Sequence, residues 1–120
     1  MAKLDEQAKE AILTNLPALV ATAGKDGMPN VSAKGSLRVL DDDHVMFADV
    51  FSPRTTANIK ENPQVSLICL GSEGRKGIRI WGNAKIMDSG DLFESISKEF
   101  ADNGKTINNV IKIHVDEIEM

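Results

Sequence analysis

Apolar and polar residues follow patterns along the chain that divide it into short helices and strands. Near the start, apolar residues recur at spacings of three and four, which predicts an amphipathic helix ended by Pro17. A second helix is predicted to begin with Ser52 as its cap and Pro53 at its first position, and to stop at Asn62-Pro63. A third helix is predicted with Ser89 as its cap. Its apolar residues form a stripe typical of a packing face: Leu92, Phe93, Ile96 and Phe100.

Between these helices, alternating or continuous apolar runs predict short strands. The strands are expected at residues 18–23, 29–34, 36–40, 45–49, 65–70, 78–86 and 111–116. Residues 24–27 have the composition of a tight hairpin turn, and Gly35 is expected to mark a bulge or a sharp bend. Because the connections are too short for parallel crossovers, the strands should be antiparallel. We therefore expect one α+β, mainly β domain over residues 1–120: an antiparallel six- to seven-stranded barrel with short flanking helices.

Composition and charge narrow the class of function. Hydrophobic residues make up 42% of the chain and charged residues 27%, which is typical of a globular protein and argues against disorder. The net charge is -4 and the basic residues form no stripe, so nucleic-acid binding is not expected. No apolar stretch approaches the roughly 20 residues of a membrane span, and the polar start does not resemble a signal peptide. We expect a cytoplasmic protein that does not bind membranes.

The sequence lacks the motifs of several catalytic chemistries. His44 and His114 are far apart in the sequence and have no metal-like spacing to Cys69, so no metal site is predicted. Cys69 lies in an apolar run and is expected to be a buried structural thiol. The acidic residues 41–43 lack the later glycine and glutamate of an EF-hand and are interpreted as a solvated turn. There is no nucleophile elbow, Walker motif or dinucleotide-binding glycine pattern, so redox chemistry would need a bound cofactor.

A segment suited to binding an anion lies at the predicted start of the second helix. Free backbone N–H groups and the helix dipole converge there, next to Ser52. Arg54 adds a permanent positive charge, and the hydroxyls of Thr55 and Thr56 can donate hydrogen bonds to phosphate oxygens. The alternative is that these residues only cap the helix and that Arg54 is solvated.

A second candidate segment, residues 30–35, follows the first hairpin turn. Its small and polar residues precede the bend at Gly35 and would let the backbone approach a flat ring. The positive charge of Lys34 would neutralise a phosphate or stabilise negative charge on a reduced ring. The alternative is a plain edge strand with an exposed lysine.

The order and spacing of these two segments resemble the pyridoxamine 5'-phosphate oxidase-like family of FMN-binding split barrels. The resemblance covers residues 19–70 and continues more weakly through residues 77–87. The stretches that carry it are LVATAGKDGMPNVSAKGSLRVLDDDHVMFADV, SPRTTANIKENPQVSLICL and GIRIWGNAKI. The most specific part is a strand followed by a basic residue and hydroxyls at a helix start, with the helix ending in Asn-Pro.

The resemblance implies a homodimeric split β-barrel that holds one FMN in each of two grooves at the subunit interface. It assigns Arg54 and Thr55 to the basic-hydroxyl pair that grips the FMN phosphate, and it places Trp81 toward the partner subunit's flavin. For Trp81 the alternative is ordinary core or dimer packing. The residues expected at the cofactor are Asn30, Val31, Ser32, Ala33, Lys34, Ala48, Asp49, Ser52, Arg54, Thr55 and Trp81.

Two departures from the oxidase itself change the expected function. The chain is acidic over residues 115–120, where the oxidase has a basic substrate-binding segment, and Thr55 stands where the oxidase has a second basic residue. We therefore expect an FMN-dependent oxidoreductase or electron carrier, with a nicotinamide nucleotide or a redox protein as donor, and not an enzyme of vitamin B6 oxidation. The alternatives that stay open are a split barrel that binds F420 or haem, and a non-catalytic dimer that binds or senses flavin.

Overall fold

The computed structural model describes residues 3–120 as three helices and seven strands. The helices are α1 (Glu6–Thr14), α2 (Pro53–Glu61) and α3 (Asp91–Ala101). The strands are β1 (Ala18–Ala23), β2 (Pro29–Lys34), β3 (Arg38–Asp41), β4 (His44–Asp49), β5 (Gln64–Cys69), β6 (Ile78–Met87) and β7 (Asn109–Glu119). The predicted α+β, mainly β fold class is confirmed.

All seven strands belong to one antiparallel sheet in the order β2-β1-β5-β6-β7-β4-β3, which curls into a half-barrel. The last strand, β7, lies between β6 and β4 and joins the two parts of the sheet. The edge strands β2 and β3 do not pair within the described residues, so the expected closure of the barrel is incomplete. Gly35 lies in the turn where the chain crosses this gap, as the sequence predicts.

The alternation of β6 and β7 decides which side chains enter the barrel. Ile80 of β6 and Ile113 of β7 are fully buried, whereas Arg79 between two buried neighbours is exposed. Gly82 lies at a bulge in β6, and a Cβ atom there would come within 2.3 Å of the carbonyl oxygen of His114. Only glycine permits so close an approach of the two strands.

Two hydrophobic clusters lie on opposite faces of the sheet. The larger fills the half-barrel and includes Phe47 of β4, Ile12 of α1 and Ile59 of α2. The smaller packs the apolar stripe of α3 against the outer face of β4 and β7, which confirms the predicted packing role of that stripe. Burying these apolar surfaces, at about 25 cal/mol per Å², is the main force that holds the helices on the sheet.

Several element ends differ from the prediction by one to three residues. Gly90, and not Ser89, caps α3, because the cap adopts φ 93°, a conformation that glycine tolerates best. Strand β3 begins only at Arg38, since Ser36 belongs to the turn after Gly35. Across residues 3–120, the structure contains no helix with the length and apolar character needed to cross a bilayer.

Candidate functional site

The polar residues of β2 point toward the first turn of α2. Because side chains alternate along a strand, Asn30, Ser32 and Lys34 share the inner face of the sheet. The side-chain oxygen of Thr55 lies 3.3 Å from Asn30 Nδ2, which donates to it, and 3.2 Å from Ser32 Oγ. Thr55 is only 2% exposed, so its hydroxyl does not face solvent. Its contacts with Asn30 and Ser32 link α2 to β2.

Lys34 extends from the end of β2 to the start of α2. Its Nζ donates a hydrogen bond to Ser52 Oγ and lies 5.3 Å from the centre of the Phe47 ring. Burial lowers the pKa of Lys34, and the nearby Asp49 carboxylate partly opposes that effect. The alternative of a plain edge strand with an exposed lysine holds only in part: β2 is an edge strand, but Lys34 is half-buried and bonded.

Ser52 occupies the predicted cap position of α2 but makes no side-chain capping hydrogen bond. Its carbonyl oxygen accepts the first helical hydrogen bond, from Thr56 N at 3.0 Å. The backbone N–H groups of Arg54 and Thr55 precede that bond and have no partner within the helix. The start of α2 thus keeps two donors and its positive dipole end for another group.

Asp49 is a buried carboxylate beside this helix start. One carboxylate oxygen accepts a hydrogen bond from Asn109 Nδ2 at 3.1 Å, while Oδ1 has no hydrogen-bond partner among residues 3–120. Asp49 is 2% exposed, so an unpaired oxygen there carries a desolvation cost of about 1–3 kcal/mol. A donor on a ligand or an ordered water would remove that cost.

A groove of about 630 Å³ opens between the end of β2 and α3. Of the sequence-predicted residues, it is lined by Ala33, Lys34, Ala48 and Ser52. Its volume falls within the roughly 300–1,000 Å³ typical of small-molecule sites. Phe51 at its rim is 80% exposed, an unusual position for a large aromatic side chain.

Arg54 does not line this groove. It is exposed and borders a smaller cleft of about 280 Å³ together with Asn30, Asn58 and Asp26. Asn30 lines this cleft and also bonds Thr55 in the first turn of α2.

Val31 and Trp81 lie on the opposite, outer face of the sheet. The strand registers align them in one row, Val31 with Ala21, Ala21 with Ser66 and Ser66 with Trp81. Trp81 borders a separate depression of about 270 Å³, and the guanidinium of Arg79 lies 5.9 Å from its ring centre. Within one chain, therefore, these two residues are not part of the groove.

Sequence reasoning missed the wall that β3 and α3 contribute to the groove. Arg38 on β3 donates two hydrogen bonds to the Glu99 carboxylate on α3, and Ser36 bonds the backbone of Ala48. No local pattern links residues so distant along the chain. Asn58 lines the cleft beside Arg54 and bonds Thr22 at 3.1 Å. The sequence could have indicated this position, since Asn58 lies three residues after Thr55 on the same face of α2.

The curled antiparallel sheet and the polar helix start beside its open edge define a split-barrel protein with a cofactor-sized groove. The chain belongs to the pyridoxamine 5'-phosphate oxidase family, whose sequence model matches residues 4–120. Over 67 residues it is 45% identical to the uncharacterized protein MJ0282 of Methanocaldococcus jannaschii. That match covers 54% of this chain but only 44% of the relative, so it spans less than half of the relative's length.

Solved structures share the whole fold. HupZ of Group A Streptococcus superposes with a TM-score of 0.86 at 28% identity, covering 95% of this chain and 90% of HupZ. An FMN-binding protein from Syntrophomonas wolfei matches with a TM-score of 0.82 at 21% identity, covering 97% and 84% of the two chains. The fold also occurs in HutZ, a heme storage protein of Vibrio cholerae (TM-score 0.69, 18% identity), and in an F420 reductase (TM-score 0.62, 19% identity).

Proposed function

We propose that this chain binds FMN at the start of α2 and in the adjoining groove, and that it transfers electrons or hydride through the flavin. The main observation in support is that Ser52 lies at the cap position of α2 but its side chain makes no capping hydrogen bond. Its hydroxyl is bonded to Lys34, and the backbone N–H groups of Arg54 and Thr55 make no hydrogen bond within the helix. A serine at the cap position ordinarily accepts a hydrogen bond from one of these donors, whereas the hydroxyl of Ser52 is bonded to Lys34.

The proposed phosphate site combines a fixed charge with oriented donors. Arg54 would supply charge-assisted hydrogen bonds, and the backbone N–H groups of Arg54 and Thr55 would donate along the helix axis. The hydroxyl of Thr55 is buried and already bonded, so its part is to hold Asn30 and Ser32 in place. This division of roles refines the sequence expectation that the hydroxyl itself grips phosphate.

The groove supplies a suitable environment for a flavin ring. Lys34 brings a positive charge to the groove, and Ala33 and Ala48 leave room for a flat ligand. Bound flavin would supply reversible electron transfer, and the protein would orient the ring and tune its potential by local charge. A nicotinamide nucleotide or a redox protein is the proposed donor.

We also propose a homodimer, formed by the outer face of β1, β2, β5 and β6. That face presents apolar side chains in register, and Val31 among them is 63% exposed. Apolar sheet faces of this kind are commonly covered by a second subunit. The residues concerned are Leu19, Ala21, Val31, Ile68 and Trp81. In such a dimer the partner's Trp81 would be available to the flavin of the first subunit.

The first experiment is a visible spectrum of the purified protein, with mass spectrometry of the released ligand. A yellow protein that releases about one FMN per chain supports the proposal. Release of F420 or haem would replace FMN by that cofactor, and a colourless protein that ignores added FMN would overturn cofactor binding. Bound FMN that no nicotinamide nucleotide reduces would favour a protein donor or a sensing role.

A comparison of FMN with riboflavin tests the phosphate site directly. Arg54→Met should weaken FMN binding about 10- to 150-fold, the equivalent of a charged hydrogen bond of roughly 1.5–3 kcal/mol. Riboflavin affinity should hardly change, because riboflavin lacks the phosphate. Lys60→Met, which removes a charge from the last turn of the same helix, is the matched control and should leave both affinities unchanged. Equal losses for the two flavins in Arg54→Met would disprove the phosphate assignment.

Light scattering after gel filtration tests the dimer. Val31→Asp places a charge on the proposed interface and should give monomers with weakened FMN binding. Leu13→Asp, at a similarly exposed position on α1, should remain dimeric. A wild-type protein that runs as a monomer would exclude the dimer without affecting the FMN test.

A further inference from the structure

The sheet brings together the only two histidines of the chain, contrary to what their separation in the sequence suggested. His44 on β4 and His114 on β7 are directly opposite each other in the strand register. Their ring centres lie 5.2 Å apart, with the ring planes at 75°. Both rings are partly solvent-accessible, with side-chain exposures of 25% and 34%.

The hydrogen bonds of the two rings determine which nitrogens remain available. His44 Nδ1 lies 2.8 Å from a carboxylate oxygen of Asp41, and His114 Nδ1 lies 2.9 Å from a carboxylate oxygen of Asp116. The same Asp41 oxygen also accepts the backbone N–H of Asp43, as an ionised carboxylate does. A carboxylate oxygen accepts a hydrogen bond, so Nδ1 is the donor in each ring, and the nitrogen left to bind another group is Nε2.

The carboxylate contact of each ring is a feature that metal-ligating histidines share. In metal sites the second ring nitrogen almost always donates to a carboxylate or carbonyl, which fixes the ring and raises the basicity of the ligating nitrogen. Here both histidines have that support, and both stand on strands paired over six residues. The two carboxylates also bring negative charge that offsets Lys112, two positions along β7 from His114.

We propose that His44 and His114 form a binding site for a divalent metal ion that favours imidazole: Zn²⁺, Ni²⁺ or Cu²⁺. Water would complete the coordination, because residues 3–120 bring no group of three or more His, Cys, Asp or Glu side chains into a metal-binding arrangement. The site lies at the opposite end of β4 from Asp49. The five residue steps from His44 to Asp49, at about 3.3 Å each, span about 16 Å, so the metal site is distinct from the proposed flavin groove.

The test is calorimetric titration of the untagged protein with Ni²⁺ and, separately, with Zn²⁺. We expect one metal ion per chain. His44→Gln and His114→Gln should each weaken binding at least about tenfold, since each leaves a single imidazole. Asp116→Asn should weaken it about tenfold through loss of the supporting carboxylate.

Two controls make the result specific. Cys69→Ala removes the only thiol, which is fully buried, and should leave metal binding unchanged. Far-ultraviolet circular dichroism should show that the histidine variants remain folded. Absence of one-to-one binding in the wild type, or wild-type affinity in both histidine variants, would overturn the proposal. FMN binding should be equal in all of these proteins, so the outcome is independent of the proposed flavin function.

Discussion

Thr55 bonds the first turn of α2 to two residues of β2, and Thr55→Val tests that role with little change of shape. Valine keeps the branched side chain and nearly the same volume but removes the oxygen that Asn30 and Ser32 contact at 3.3 and 3.2 Å. The net value of a protein hydrogen bond is about 0.5–1.5 kcal/mol. Two such bonds would together contribute about 1–3 kcal/mol. Because Asn30 and Ser32 are only partly buried, water can reach them in the variant, so we expect a loss in the lower half of that range.

The expected loss is therefore about 1–2 kcal/mol in the free energy of unfolding, measured by urea titration at unchanged slope. For a domain of this size, that loss corresponds to a fall in Tm of about 4–8 °C. Thr55→Ser is the matched control: it keeps the oxygen and loses one buried methyl group, worth about 0.8 kcal/mol.

A double-mutant cycle with Ser32→Ala separates the hydrogen bond from other effects. If the two hydroxyls interact, the losses in Thr55→Val and Ser32→Ala should sum to more than the loss in the double variant, by about 0.5 kcal/mol or more. A Thr55→Val protein as stable as the wild type, with additive losses in the cycle, would refute this role of Thr55. It would also show that the contacts with Asn30 and Ser32 do not explain why this hydroxyl is buried.

The remaining predictions concern three other positions. Lys34→Met should lower the reduction potential of bound FMN, because it removes a positive charge beside the ring; an unchanged potential in a spectroelectrochemical titration would contradict this. Without flavin the same variant should be more stable than the wild type at pH 7. Burial holds the folded pKa of Lys34 below its unfolded value of 10.5, so the cost of the charged form is present at neutral pH. That difference in Tm should shrink as the pH rises through the folded pKa toward 10.5. Burial raises the pKa of Cys69 to about 11, so iodoacetamide at pH 8 should label it only after unfolding in urea, and rapid native labelling would disprove its burial. Gly82→Ala should cost about 1–3 kcal/mol or more, since the new Cβ would clash with the His114 carbonyl. Gly35→Ala is its control in urea unfolding, because nothing lies within 4 Å of the new atom there. Equal free energies of unfolding for the two variants would refute the clash.

Much of the fold could be predicted because its signals are local. The bounds of β1 and β2 agree with the prediction: the Gly24 to Gly27 turn sets the end of β1 and the start of β2, and Pro17 and Gly35 flank the outer ends. The helix α2 agrees within one residue for a similar reason, with Pro53 at its first position and Pro63 beyond its end. These residues restrict their own backbone, so their effect does not depend on the rest of the molecule.

Strand neighbours could not be predicted in the same way. Alternation shows which side chains share a face of β4 or β7, but it contains no information about which strand lies beside which. The position of β7 between β6 and β4 therefore had no signal in the sequence. The same limit hid the contact between His44 and His114 and the contribution of α3 to the groove. Ser52 illustrates a different limit, since its cap position was predictable but the use of its hydroxyl by Lys34 was not.

The central place of β7 makes folding of the described chain a late and cooperative event. Without residues 109–119, strands β2, β1, β5 and β6 form one partial sheet and β4 with β3 another, and no backbone ladder joins them. The pairs that join them link residues 44–49 to residues 109–114, contacts of high sequence separation that form slowly. The groove draws Lys34 from the first partial sheet and Ala48 from the second. During synthesis, both partial sheets would already have left the ribosome before β7 does. The groove would form only after β7 emerges and pairs with β6 on one side and β4 on the other.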